Sequence, residues 1–289
     1  MPVTDVIARE GVFGLPRTPQ PAPPEDAALP RLSLLGPVRV QTEDRDHTPT
    51  APKLRQLLAL LMMRSGHTLH PDAIVHELWS REAPPRNVRS CVQTLVYQLR
   101  RCLDDAGPAA SGRHVLAVRP PGYVLRVQPH QLDVVVFQQL VRQGQEAFHA
   151  GQFEQAARLL RAGLGLWSGE PMAGVRLGPV LSAYALELQE QRRTTRFLRI
   201  QADIEAGRDA ELIGELRALV TDDPLDEGAH AQLMQVLGRV GRRSEALALY
   251  RQLRERLIDE LGLEPCDTVQ QRHREVLRAG LTVRRPGRD

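Results

Sequence analysis

Four arginines stand between residues 86 and 101, interleaved with serine, glutamine and tyrosine in the run RNVRSCVQTLVYQLRR. A guanidinium suits two ligands in nucleic acid: phosphate oxygens, and the O6/N7 edge of guanine, while a glutamine amide suits the edge of adenine. On a helix at 100° per residue counted from Arg86, the residues Val88, Cys91, Val92, Leu95, Leu99 and Cys102 fall at about 140° to 240°. Arg86, Arg89, Ser90, Gln93, Tyr97, Arg100 and Arg101 fall within about 60° of zero. One face is a core stripe; the opposite face is basic and carries no acid. A solvated charged face is the alternative, but such faces usually mix both signs. The favoured reading is DNA contact. Arg86, Arg89, Ser90, Gln93 and Thr94 occupy the N-terminal part of the helix, the part that reaches base edges, with Arg89 and Gln93 as the expected readers. Tyr97, Arg100 and Arg101 are expected on phosphates.

The neighbouring segments suit that task. PKLRQLLALLMM (52 to 63) has a proline in its first turn and an apolar run too long for a strand, so it predicts a buried helix ending near Gly66. PDAIVHELW (71 to 79) predicts a second helix, stopping before Pro84-Pro85, and the basic helix is expected over 86 to 103. A Gly/Pro/Ser-rich loop at 107 to 112 leads into RHVLAVRPPGYVLRV, two β-like runs around Pro120-Pro121-Gly122. Two helices, a basic amphipathic third helix and a hairpin make a winged helix-turn-helix, a small α+β domain. Arg119 at the wing tip is placed for the minor groove or a phosphate, or is simply an exposed hairpin arginine. Lys53 and Arg55 open the first helix, where a phosphate could meet free N–H groups; keeping that helix soluble is an equal alternative. Before it, RLSLLGPVRV (31 to 40) is β-compatible with a turn or bulge at Gly36-Pro37, while residues 41 to 51 show no clear second strand.

The second half reads as all-α and weakly repetitive. Leu140, Gly144, Ala147, Gly151, Phe153, Ala156 and Leu160 follow tetratricopeptide spacing, and Leu233, Leu237, Gly241, Ala246, Tyr250 and Leu253 repeat it. A degenerate copy surrounds Gly207, and the interval from Gly151 to Gly207 leaves room for one extra helix at about 177 to 192. The expected organisation is a proline-rich flexible tail (1 to 30), a DNA-binding domain (31 to 130), a helical interaction domain with its own core (131 to 280) and a short tail (281 to 289). Residues 31 to 130 alone would then keep their sequence preference.

Charge divides the same way. Of the 289 residues, 31 to 130 hold 14 basic against 8 acidic side chains, net +6, whereas 131 to 289 hold 22 against 23, net −1. That asymmetry suits a nucleic-acid-binding domain beside a neutral partner domain. Three cysteines without a pairing pattern point to a reducing compartment, and no apolar run or leader suggests a membrane span or secretion, so a cytoplasmic, nucleoid-associated protein is expected. Cys91 and Cys102 read as core residues, and His67, His70 and His76 lack metal-ligand spacing, so neither metal nor cofactor is expected. No phosphate-binding loop, dinucleotide fingerprint or nucleophile elbow is present, which leaves no visible residues for enzyme chemistry.

PKLRQLLALLMMRSGHTLHPDAIVHELW, NVRSCVQTLVYQLRRCL and RPPGYVL together resemble the OmpR-type winged helix of the Streptomyces antibiotic regulatory protein family. GRRSEALALYRQLRERLIDELGLEP resembles that family's bacterial transcriptional activation domain. The resemblance implies an activator of secondary-metabolite gene clusters. It also implies binding to direct repeats in double-stranded DNA near promoters, assembly of two copies side by side, and recruitment of RNA polymerase with its principal sigma factor. From the residues alone, two other readings stay open: a tetratricopeptide-like adaptor that binds protein, and a regulator that senses a small molecule.

Overall fold

The computed structural model describes residues 30–42, 45–106 and 115–278. The expected tails, apart from Pro30, and the loop at 107 to 112 lie outside the described residues. β1 (Arg31–Ser33) and β2 (Arg39–Gln41) pair antiparallel with Leu32 opposite Val40. The run 31 to 40 therefore folds back on itself around Gly36-Pro37. The second strand, sought after residue 41, lies almost wholly within that run.

α1 (Pro52–Met63) carries proline at its first turn and buries Leu54, Leu57, Leu58, Leu60 and Leu61, so neighbours enclose nearly its whole circumference. It ends ahead of Gly66, whose φ of 78° is a left-handed conformation that glycine adopts freely. α2 (Pro71–Leu78) starts at His70, whose ring accepts from the Asp72 N–H. α3 (Val88–Asp104) buries Val92, Val96, Leu99 and Leu103. β3 (Leu116–Arg119) and β4 (Gly122–Leu125) form the hairpin, with Arg119 opposite Gly122 across Pro120-Pro121. The hairpin is fastened to the α1–α2 connection by Leu69 and Tyr123, which exchange N–H···O bonds of 2.7 and 3.0 Å. Gly122 allows that approach, because a Cβ there would stand 2.1 Å from the Leu69 carbonyl oxygen.

A 3₁₀ turn at Pro129–Gln131 leads to seven helices: α4 (Asp133–His149), α5 (Phe153–Leu164), α6 (Pro179–Glu205), α7 (Asp209–Asp222), α8 (Glu227–Arg239), α9 (Arg243–Leu261) and α10 (Asp267–Arg278). Three turns share one construction. Gly151, Gly207 and Gly241 have φ of 73°, 78° and 80°. In each case the next residue's N–H bonds to the carbonyl five positions back: Gln152 to Ala147, Arg208 to Asp203, Arg242 to Leu237. This is the helix-ending motif that satisfies orphan carbonyls and reverses the chain. The extra helix expected at 177 to 192 is not separate. Nothing after Pro179 interrupts helical propensity until Gly207, so it continues into one 27-residue helix.

The hydrophobic cores do not divide where the composition does. One buried cluster joins Leu32, Leu57, Leu61, Val96 and Leu116 to Phe137, Trp167, Met172, Leu181 and Leu188. A second runs from Ile200 to Val276. The winged helix thus shares a core with α4 and the first half of α6, contrary to the expectation of an independent helical core.

Two carboxylates cross that join. Glu77 of α2 is fully buried and accepts from the N–H groups of Gly178 at 2.7 Å and Val180 at 2.8 Å, with Leu181 at 3.4 Å. It serves as a side-chain cap at the N-terminus of α6, supplied by another helix. Asp133 at the start of α4 accepts from Leu34 N–H at 2.9 Å and Leu35 N–H at 3.0 Å. Burial pushes the Asp133 carboxyl above the usual carboxylate range, against the pull of those same N–H groups.

Candidate nucleic-acid interface

The exposed side of α3 matches the sequence pattern closely. Val92, Val96 and Leu99 face inward, Leu95 is half-buried, and Arg89, Ser90, Gln93, Thr94, Tyr97 and Arg101 are exposed. Tyr97 is 60% accessible, far more than a core aromatic would be. Arg86 is exposed too but precedes the helix, in a turn with Asn87, because α3 begins at Val88 and not at 86. It therefore sits where the chain enters the recognition helix. Thr94 donates its hydroxyl to the Ser90 carbonyl at 3.0 Å, so that proton serves the helix itself. Cys91 and Cys102 are half-buried on the edges of the stripe, not in the core proper. Burial raises the Cys102 thiol pKa.

Arg86, Arg89, Arg101 and Arg119 pair with no acid among the described residues. Arg161, Arg199, Arg217, Arg242, Arg254 and Arg272 of the helical half each meet a carboxylate. Asp104 and Asp105 lie at the far end of α3, about 22 Å along the axis from Arg89 at 1.5 Å per residue. The positive potential is therefore strongest at the N-terminal part of the helix. At the wing tip Arg119 is exposed beside Val118, an apolar side chain 60% accessible. Sequence reasoning passed over Val118, because alternation along β3 puts it on the same face as buried Leu116 and only the end of the hairpin leaves it in solvent. Gln98 is a second exposed amide on α3 that the angular count left near the core arc.

Three of the expected contacts are engaged within the protein. Lys53 Nζ donates to the Leu78 carbonyl at 2.9 Å and to Glu82, and lies 4.4 Å from the Trp79 ring centre. The hydrogen bond and the charge of Lys53 hold the Glu82 carboxyl below its usual range. Arg55 donates to the Thr50 carbonyl at 3.1 Å and lies beside Gly174. These two side chains tie α1 to its surroundings. Arg100 is half-buried, and its Nε donates to the Leu116 carbonyl at 2.8 Å, linking recognition helix to wing.

That bond yields a test. Arg100→Ala should lower the stability of the DNA-free protein by about 1 kcal/mol, the worth of one such bond, as well as weakening all DNA sequences alike. A melting temperature equal to that of the parent would return Arg100 to a phosphate-only role.

A family model described as the bacterial transcriptional activator domain matches residues 132–277, and one described as transcriptional regulatory protein, C terminal, matches residues 45–125. The regulatory protein DnrI of Streptomyces peucetius is 34% identical over 263 residues, covering 89% of this chain and 95% of its own. The chain belongs to the Streptomyces antibiotic regulatory protein family of transcriptional activators. Regulatory protein AfsR of Streptomyces coelicolor is 35% identical over 92% of this chain, which spans 26% of that larger protein. The solved structure of Mycobacterium tuberculosis EmbR in complex with a low affinity phosphopeptide superposes with a TM-score of 0.81 at 31% identity, covering 87% of this chain and 66% of that one. As a member of this family the protein is a transcriptional regulator, not an enzyme. Its winged helix followed by a helical domain is the family's architecture. Among the described residues, no helix is long and apolar enough to cross a membrane.

Proposed function

We propose that this protein activates a secondary-metabolite gene cluster by binding direct repeats near its promoter, two copies side by side, and recruiting RNA polymerase with its principal sigma factor. The observation that carries the DNA-binding reading is the exposed face of α3, with Arg89, Gln93, Tyr97 and Arg101 and no opposing acid. α3 enters the major groove, Arg86 and Arg101 meet phosphates on either side, and Arg119 with Val118 reaches the flanking backbone or minor groove. The helix stack provides the second surface, since contacts to phosphate and base only position a protein on DNA.

The reading is tested by footprinting on the upstream regions of neighbouring genes as salt is varied. Phosphate contacts by Arg86, Arg100, Arg101 and Arg119 in each copy give a slope of log affinity against log salt of about −4. A slope near zero would favour the adaptor reading, because an adaptor releases no DNA counterions. In transcription with purified polymerase, repeats one helical turn apart, about 10 to 11 base pairs, put both copies on the same face. Inserting half a turn should abolish activation while leaving binding to each repeat intact. Activation indifferent to the insertion would remove side-by-side assembly from the mechanism.

A further inference from the structure

Between α5, α6 and α7 lies a cleft of about 400 Å³, lined by Arg161, Arg192, Arg196, Arg199 and Glu215. It stands apart from the recognition helix. Arg192 is 13 residues along α6 from Pro179, about 20 Å from the Glu77 cap at 1.5 Å per residue. Arg192, Arg196 and Arg199 follow one another on adjacent turns of one face of α6. Like charges spaced i,i+4 destabilise a helix, so a cluster of this kind calls for a compensating anion.

The acids present compensate only part of it. Asp203, 2% exposed, accepts two bonds from Arg161 at 2.8 and 2.9 Å and one from Arg199 at 3.2 Å, and Arg208 stands 3.7 Å away. Glu215 pairs with Arg199. Arg192 has no carboxylate in contact: its guanidinium lies 4.8 Å from the Trp167 ring centre and donates to the Gly169 carbonyl at 3.4 Å. Arg196 makes no hydrogen bond or ion pair with any described residue. Burial, and then the charge of Arg196, hold the Arg192 pKa below its ordinary value against the opposing charge of Glu170 nearby.

We propose that this cleft binds a small phosphorylated molecule, with Arg196 and Arg192 taking the phosphate oxygens and Arg161 the far side. Three of the four guanidiniums are already fixed, Arg161 and Arg199 by Asp203 and Arg192 by the indole face, so little side-chain entropy is lost on binding. The volume falls in the range of small-ligand sites, about 300 to 1,000 Å³. Occupied, the cleft would neutralise the middle of α6, the helix that runs from the winged-helix contact into the second core.

The probe is inorganic pyrophosphate, titrated calorimetrically into the full chain at ionic strength held constant with sodium chloride. Saturable binding is expected, weakened at least about tenfold by Arg196→Ala, the loss of one charge-assisted contact. It should be unchanged by Arg193→Ala, a neighbour on α6 that pairs with Asp226 instead. Arg196 makes no internal bond and repels Arg192, so its removal should leave the melting temperature in place or raise it slightly, and a circular dichroism melt checks this. Equal affinity in parent and Arg196→Ala, or heats no larger than those of added chloride, would overturn the proposal. So would an Arg196→Ala protein whose promoter binding loses about one unit of salt slope, since that result assigns the cleft to DNA. The outcome is independent of base readout by α3, so failure of either reading leaves the other standing.

Discussion

A fragment spanning residues 31 to 130 should fail to reach a stable native state, and with it should lose specific DNA binding. Cutting at 130 removes Phe137, Trp167, Leu181 and Leu188 from the core that Leu57, Leu61 and Val96 help to form. It also removes the Gly178, Val180 and Leu181 N–H donors that Glu77 serves, and uncovers that carboxylate together with the apolar surface around it. Exposing that much of a shared core leaves a small fragment too little buried surface to offset its chain entropy. In the intact chain, Glu77→Ala removes the same bonds from the other side and should cost roughly 2 to 4 kcal/mol. Glu77→Gln, which keeps one acceptor, should cost less. Thermal unfolding followed by circular dichroism measures both. A fragment that melts cooperatively and footprints like the parent would show that the shared core is dispensable to the winged helix.

Replacing Arg89 with alanine should weaken binding to the preferred repeat by about 1 to 3 kcal/mol and relax preference at one or two base positions. Arg89 lies in the first turn of α3, is exposed, and has no acidic neighbour in contact, so its guanidinium is free to take the guanine edge. The same change at Arg101, three turns further along, should weaken all sequences alike and reduce the salt slope by roughly one unit. Binding to a panel of single-base variants at two salt concentrations separates the two patterns. Arg89→Ala with base preference intact would take this residue off the reading surface.

Much of the architecture follows from local chemistry that one sequence displays. The three helix-reversing glycines were recognisable because Gly151, Gly207 and Gly241 stand at the turn positions of tetratricopeptide spacing, and their left-handed φ values are what such turns need. The recognition face was legible for a similar reason. Helical periodicity sorts side chains into two arcs whatever the helix packs against, so Arg89, Gln93, Tyr97 and Arg101 could be placed outward without a structure. The buried Glu77 cap was not legible, since its partners lie about a hundred residues away.

What the sequence determined by itself, then, is the order and faces of its elements: a basic reading helix between two apolar helices and a hairpin, followed by glycine-punctuated helix pairs. Those features depend on neighbours within a few residues, where backbone geometry is nearly invariant. Only the tertiary structure decided how the side chains divide their bonds. It assigned Arg100 to the Leu116 carbonyl and Lys53 to Leu78 and Glu82, though each looks like a free cation in the sequence. It also merged an anticipated separate helix into α6 and sealed the winged helix to α4 and α6 through one core and two buried carboxylates. Those outcomes depend on which groups are left unsatisfied once distant segments pack together, and buried N–H donors and apolar faces find partners by proximity in space, not in sequence.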